Sequence, residues 1–305
     1  MAKKLIVILG ATASGKTKMS VRLACELNGE IISADSRQVY KGLDIGTGKD
    51  LKEYDIDGHT VPYHMIDIVA PEEEFNLFEF QTRFYEIYSR LIRNGVLPIL
   101  VGGTGLYLES ILQNYQLPPA PPDHKLREEL LKKTVTDLQQ YLLSLKIMLH
   151  NKTDTEDKER LVRAIEIELA RKRHHQGEVI SRPVVNAVVF GIYRERSLLR
   201  RRITERLKQR LNEGLIEEVK ALLIAGLSPE RLYSLGLEYR YVSQYLSGAI
   251  SYEEMFSQLN TSIHQFAKRQ ETWFRRMERK GVAVNWIDGD NYSLLKESVM
   301  RYLND

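Results

Sequence analysis

The residues Gly10-Ala11-Thr12-Ala13-Ser14-Gly15-Lys16-Thr17 fit the spacing G-x-x-x-x-G-K-[S/T] in full and directly follow the apolar run Leu5-Ile6-Val7-Ile8-Leu9. A short apolar run closed by glycine reads as a strand covered on both faces, the kind found in parallel sheets. A helix is expected from residue 15 or 16 to about residue 27. Between the two, glycines let the backbone curl until successive amides point inward at a di- or triphosphate. The helix N-terminus adds the positive end of its dipole, Lys16 adds a charge, and Thr17 offers a hydroxyl to Mg²⁺. Gly10, Ala11, Thr12, Ala13, Ser14, Gly15, Lys16 and Thr17 are therefore phosphate-binding candidates. The loop calls for an α/β sheet and a pyrophosphate-bearing ligand, but does not select a reaction.

The rest of the chain agrees with that fold class. Residues 30–35 read as a second strand with Asp35 at its carboxyl end, where open α/β sheets place their chemistry. Residues 75–94 carry helical spacing and lead into a third strand at 97–101, closed by Gly102-Gly103-Thr104-Gly105; residues 184–192 read as a fourth strand. Alternating strands and helices predict a doubly wound parallel sheet. The proline cluster Pro118-Pro119-Ala120-Pro121-Pro122 interrupts it, and residues 123–177 are charged and helix-patterned. The expected organisation is a P-loop α/β core with C-terminal helices at 1–117 and 187–305, and a helical insertion domain at 118–186. C-terminal helices are expected at 197–211, 215–225, 252–279 and 294–303.

Charge counts decide little, because 44 Lys+Arg against 41 Asp+Glu leave a formal net charge of +3. Affinity for nucleic acid would have to come from clustering. One cluster runs through Arg194, Arg196, Arg200, Arg201, Arg202, Arg206, Lys208 and Arg210; another holds Lys268, Arg269, Arg275, Arg276, Arg279 and Lys280, with Trp273 and Phe274 among them. A charge run is also what an ordinary solvated helix face looks like. The single cysteine, Cys25, rules out an internal disulfide and a Cys-based metal site, and reads as core packing in a reducing compartment. No stretch approaches the ~20 apolar residues of a membrane span, and no signal peptide is evident, so a cytoplasmic protein without membrane contact is expected. His174-His175 lack a third ligand at metal spacing and read as exposed polar residues near a loop.

A nucleotide kinase or ATPase would be expected to carry a strand ending in Asp for its metal. Here the strand Ile99-Leu100-Val101 ends in glycine, and the available acid is Asp35, well placed for a catalytic carboxylate and open also to a capping or Mg²⁺-coordinating role. On the residues alone, Thr104 reads as a helix cap after the third strand.

Several motifs together resemble the tRNA dimethylallyltransferase (IPP transferase) family: the loop at 10–17, Asp35-Ser36-Arg37-Gln38-Val39-Tyr40-Lys41-Gly42-Leu43-Asp44-Ile45-Gly46-Thr47, Leu100-Val101-Gly102-Gly103-Thr104-Gly105-Leu106-Tyr107, Arg160-Leu161-Val162-Arg163-Ala164-Ile165-Glu166, Arg202-Ile203, and Ala267-Lys268-Arg269-Gln270-Glu271-Thr272-Trp273-Phe274-Arg275. The resemblance spans nearly the whole chain. It implies a phosphate loop that holds the pyrophosphate of dimethylallyl diphosphate, with Mg²⁺ on Thr17 and no ATP hydrolysis. The acceptor it implies is N6 of the adenosine 3′ of the anticodon, position 37, in the tRNA anticodon stem-loop, with a helical insertion that clasps the RNA. Asp35, Thr104, Arg202 and Lys16 match catalytic positions, and Thr12 matches a substrate contact. Asp35, Ser36, Arg37, Gln38, Thr104, Arg127, Arg160, Arg163, Lys268, Arg269, Gln270, Thr272 and Arg275 match tRNA-binding positions.

The alternative is an adenylate isopentenyltransferase acting on AMP, ADP or ATP; the insertion and the 268–275 motif favour tRNA. No obligate protein partner is inferred. One departure stands out: where the family shows a compact Gly-Tyr-Arg/Lys, this chain has Gly236-Leu237-Glu238-Tyr239-Arg240, two residues longer and with an added negative charge.

Overall fold

A computed structural model describes residues 4–117, 119–120, 123–145, 157–173 and 182–304. His174 and His175 lie outside the described residues. The strands are β1 (Lys4–Gly10), β2 (Gly29–Ala34), β3 (Asp55–Ile56), β4 (His59–Thr60), β5 (Tyr63–His64), β6 (Leu97–Gly102), β7 (Asn186–Tyr193) and β8 (Val284–Asp288). Six of them form one sheet in the order β5-β2-β6-β1-β7-β8, every pair parallel, and β3 and β4 form a separate antiparallel hairpin. The helices of the same unit are α1 (Lys16–Leu27), α2 (Leu77–Arg93) and α3 (Gly105–Leu112). The helices α4 (His124–Leu131), α5 (Val135–Ser144) and α6 (Lys158–Arg173) follow. The C-terminal helices are α7 (Arg196–Asn212), α8 (Leu215–Ile224), α9 (Pro229–Leu235), α10 (Leu237–Leu246), α11 (Tyr252–Arg279) and α12 (Tyr292–Asn304).

Strand β1 shows why its apolar run is continuous. Leu5, Val7 and Leu9 pack with Phe80 and Phe84 of α2, Leu108 of α3 and Phe274 of α11, whereas Ile6 and Ile8 pack with Val21 of α1 and Leu295 of α12. Alternate side chains thus serve two cores, one on each face of the sheet. A third core covers the C-terminal edge: Ala11 and Ala13 of the glycine loop are buried with Leu199, Ile203 and Leu207 of α7 and with residues of α8 to α11. The loop is anchored by its own small apolar residues.

Contacts divide the chain into Met1–Asn114 with Val184–Asp305, and Tyr115–Pro183. The second unit has its own core of Leu130, Leu138, Leu142, Leu161, Val162 and Ile165. At its centre the buried Glu166 carboxylate accepts both Nε and Nη2 of Arg127 at 3.1 Å and pairs with Arg163, while Arg163 also donates to the Ala120 carbonyl. Burial opposes the Glu166 charge, but these donors outweigh it and hold the carboxyl below its ordinary value.

Several elements of the first unit depart from the sequence reading. The sheet has a sixth strand, β8, at an edge where Asn285 and Trp286 are exposed, and a two-residue β5 at the other. Helices α9 and α10 fill residues 229–246; Ser228 caps the first by accepting the Arg231 amide, with Pro229 in its first turn. Among the described residues no helix is long and apolar enough to cross a membrane.

Candidate functional site

The ends of β2, β6 and β1 lie side by side, and each carries a candidate group. Gly15 adopts φ 93°, a left-handed conformation natural to glycine, and the loop tightens with the Ser14 amide donating to the Ala11 carbonyl at 3.2 Å. Such a loop turns amides inward only if its carbonyls find donors elsewhere. Arg202 Nε donates to the Ala13 carbonyl at 3.0 Å, and Arg194 Nε to the Ser14 carbonyl at 3.1 Å. Arg194 is itself fixed by the Gly289 carbonyl at 2.7 Å and by an ion pair with Asp290. Arg206 donates to the Thr12 hydroxyl.

The loop opens on a cavity of about 860 Å³ whose lining includes Gly15, Lys16, Thr17, Asp50, Glu53, Arg202, Arg206 and Arg210. That size suits a small organic ligand. Thr17, Asp50 and Glu53 offer hard oxygen donors. Among the described residues no group of three or more His, Cys, Asp and Glu could hold a metal by itself.

Desolvation in this cleft pushes the Lys16 ammonium down to about 8, with the Asp35 charge opposing the shift and Arg206 adding to it. A bound diphosphate favours the charged ammonium and so raises that value again. Binding near pH 8 should therefore take up a proton, and the Lys16 contribution to affinity, constant at lower pH, should fall as pH rises above about 8. Calorimetry of diphosphate binding in buffers of different ionisation heat checks this. Equal proton uptake by wild type and Lys16→Met would contradict it.

On the neighbouring strands, Gly102 sits where any Cβ would collide with the Ala34 carbonyl, so glycine permits the close approach of β6 to β2. Asp35 and Thr104 then emerge together. Thr104 holds the position before α3, but its hydroxyl makes no capping bond; it accepts the Ser36 amide at 3.0 Å. The reading of Thr104 as a simple helix cap is not met. Asp35, half-buried, accepts the Arg37 amide on Oδ1 at 2.9 Å, and among the described residues Oδ2 has no hydrogen-bond partner. Arg37 is exposed, whereas the Gln38 amide is taken up by the Gly48 carbonyl and the Ser33 hydroxyl at 2.9 and 3.0 Å.

Helix α11 sorts its basic motif by phase. Lys268, Arg269, Thr272 and Arg275 are exposed, with the Arg269 guanidinium 6.0 Å from the Phe266 ring. Gln270 faces inward and is buried. Arg276 and Lys280, part of the same cluster in sequence, both bond the fully buried Glu109 at 2.7 Å. Arg127, Arg160 and Arg163 belong to the helical unit: the first and third clasp Glu166, and Arg160 pairs with Asp157 at 3.6 Å.

Arg206, Arg210 and Glu218 were not singled out by motif. The two arginines carry a readable signal, since Arg202, Arg206 and Arg210 recur every fourth residue on one face of α7, whereas Glu218 carries none. Arg210 is buried beneath Gly48, between Asp50 at 3.8 Å and Glu238 at 3.7 Å. The unusual 236–240 segment opens α10. Its Tyr239 is fully buried and donates to Glu218 at 2.8 Å, while Glu218 accepts the amides of Asp44, Ile45 and Gly46 at 3.0, 2.7 and 3.0 Å. Through Glu218 and Arg210, the segment backs residues that line the cavity, without lining it itself.

The fold and this edge define a P-loop α/β protein with a carboxylate and a hydroxyl beside its glycine loop. Comparison with known proteins narrows the class. The family model described as IPP transferase matches residues 38–277, and one described as isopentenyl transferase matches residues 3–60. A tRNA dimethylallyltransferase 1 of Syntrophus aciditrophicus is 54% identical over 98% of this chain and 98% of that protein. A tRNA dimethylallyltransferase 2 of Bacteroides fragilis is 50% identical over 93% and 92%. Among solved structures, the tRNA isopentenylpyrophosphate transferase of Bacillus halodurans superposes with a TM-score of 0.71 at 33% identity, covering 99% of this chain and 97% of that one. A eukaryotic dimethylallyltransferase acting on tRNA gives 0.75 at 25% identity, over 94% and 74%. The chain belongs to the IPP transferase family.

Proposed function

We propose that the protein transfers the dimethylallyl group of dimethylallyl diphosphate to N6 of adenosine 37, 3′ of the tRNA anticodon, and releases diphosphate. The observation that carries this reading is the placement of Asp35 and Thr104 just past the ends of the strands beside the phosphate loop, with no acid at the end of β6. Relatives about half identical to this chain bear the name of that activity.

The residues divide the work as follows. Breaking the allylic C–O bond builds positive charge on carbon and negative charge on the departing diphosphate. Lys16 and Arg202, which line the cavity, meet the latter together with loop amides. Mg²⁺ bound at the Thr17 hydroxyl and the ligand phosphates would neutralise further phosphate charge. The adenine amine is a poor nucleophile because its lone pair is delocalised into the ring. Asp35 Oδ2 accepts its proton as the C–N bond forms, and Thr104, fixed by Ser36, orients it. The base leaves the anticodon stack to reach the sheet edge.

RNA is held by Ser36, Arg37 and the outer face of α11, with Arg127, Arg160 and Arg163 contributing from the helical unit. Arg269→Ala and Arg275→Ala are each expected to weaken tRNA binding and to reduce the salt slope of log K by about one contact's worth, ~0.7–0.9. Filter binding across a salt series checks this, and an unchanged slope removes the residue from the interface.

Purified protein incubated with carbon-labelled dimethylallyl diphosphate should label unmodified tRNA. Label on AMP and never on tRNA would transfer the assignment to the adenylate isopentenyltransferases.

A further inference from the structure

Gln270 lies inside a run that reads as an RNA-contacting surface, yet its side chain looks the other way. It is 7% exposed and shares the buried stripe of α11 with Ala267, Phe274 and Met277. Its Oε1 accepts the Thr12 backbone amide at 2.8 Å, and its Nε2 donates to the Gly103 carbonyl at 2.9 Å. The two backbone partners dictate which end of the amide faces which, since one can only donate and the other only accept.

These partners belong to different loops. Thr12 is in the loop after β1 that would cradle the donor diphosphate. Gly103 precedes Thr104, whose hydroxyl holds Ser36 next to Asp35. The ladder between β1 and β6 ends at the pair Leu9 and Gly102, so no ladder rung joins the two loops beyond it. A primary amide supplies a donor and an acceptor on one planar head and spans that gap as one further rung. The helix that supplies it presents Lys268, Arg269 and Thr272 on its outer side.

The geometry points to Gln270 as a positioning residue that sets the spacing between the donor cradle and the acceptor-side groups, from the inner face of the RNA-facing helix. This deepens the transfer reading above and rests on it. The fit is tight: a Cβ on Gly103 would collide with Gln270 Nε2, although the Gly103 backbone is not in the left-handed region. Gly103→Ala therefore displaces the same amide from the opposite side.

Gln270→Met keeps length and apolar bulk but removes both bonds. Because a misplacement of about 1 Å can cost 10²-fold, kcat at saturating donor and tRNA is expected to fall about ten- to a hundredfold. The Kd for an anticodon stem-loop should be unchanged, which also reports that the variant is folded. Gly103→Ala should reproduce the loss, and the double variant should be no worse than Gln270→Met alone, because both break one connection. Wild-type kcat in Gln270→Met, a selective loss of RNA affinity, or additive losses in the double variant would each overturn the assignment.

Hydrogen exchange at the Thr12 amide gives a readout that needs no turnover. It should be protected in the wild type and released in Gln270→Met; an unprotected Thr12 in the wild type sinks the strut. A wild type that prenylates nothing while Thr12 exchange behaves as stated sinks the transfer reading instead.

Discussion

Asp35→Ala is expected to lower prenyl transfer by about 10²–10⁴ at saturating substrates while tRNA is still bound. The expectation follows from the local geometry. One carboxylate oxygen is occupied by the Arg37 amide, which fixes the side chain, and the other is left to accept a proton. Asp35→Asn separates the roles that the residue could fill. An amide oxygen still accepts from Arg37, so if Asp35 only shaped its turn, Asn would restore the rate. If it coordinated Mg²⁺, added Mg²⁺ would restore much of it. A base cannot be replaced in either way, so both variants should stay slow in single-turnover measurements at every Mg²⁺ concentration. Recovery under either condition contradicts the general-base role.

Lys16→Met should cost about 10²–10³ in rate, the usual loss when one preorganised charge contact is removed. The ammonium sits in a cleft that desolvates it and that also contains Arg206, so an empty site is electrostatically unfavourable and a diphosphate relieves it. Charge on the diphosphate grows as the allylic bond breaks, so the interaction is stronger in the transition state than in the bound donor. The variant should therefore lose kcat as well as donor affinity. A raised KM with unchanged kcat would mean that Lys16 only binds.

What was legible in the sequence was mostly local. The β1, glycine loop and α1 succession depends on adjacent residues, and it folds as the spacing predicts. The parallel sheet followed from alternation of apolar runs with helical periods. Strand β8 was hidden because it lies at an edge, is short, and buries only Ile287 fully, which erases its pattern. Helices α9 and α10 carried a signal in Ser228-Pro229 and in the buried Leu232, Leu235, Tyr239 and Val242.

At the site, the residue types were readable and their pairings were not. Thr104 reaches Ser36 across 68 residues of sequence because β2 and β6 are neighbours, a fact of topology. Basic residues of one run divide by helical phase: Arg269 is exposed, whereas Arg276 and Lys280, themselves partly exposed, reach in to the buried Glu109. The same phase turned Gln270 inward. The segment 236–240, which reads as a departure in an RNA-contacting motif, backs the cavity through Tyr239 and Glu218.

The most direct test of the account is to follow both halves of the donor. Dimethylallyl diphosphate carrying one label in its C1 carbon and another in its phosphorus is given to the enzyme with unmodified tRNA, and the digested RNA is analysed. The account predicts the carbon label on N6 of adenosine 37 and the phosphorus label in free diphosphate. Phosphorus label on the acceptor, or carbon label absent from the tRNA, would contradict it.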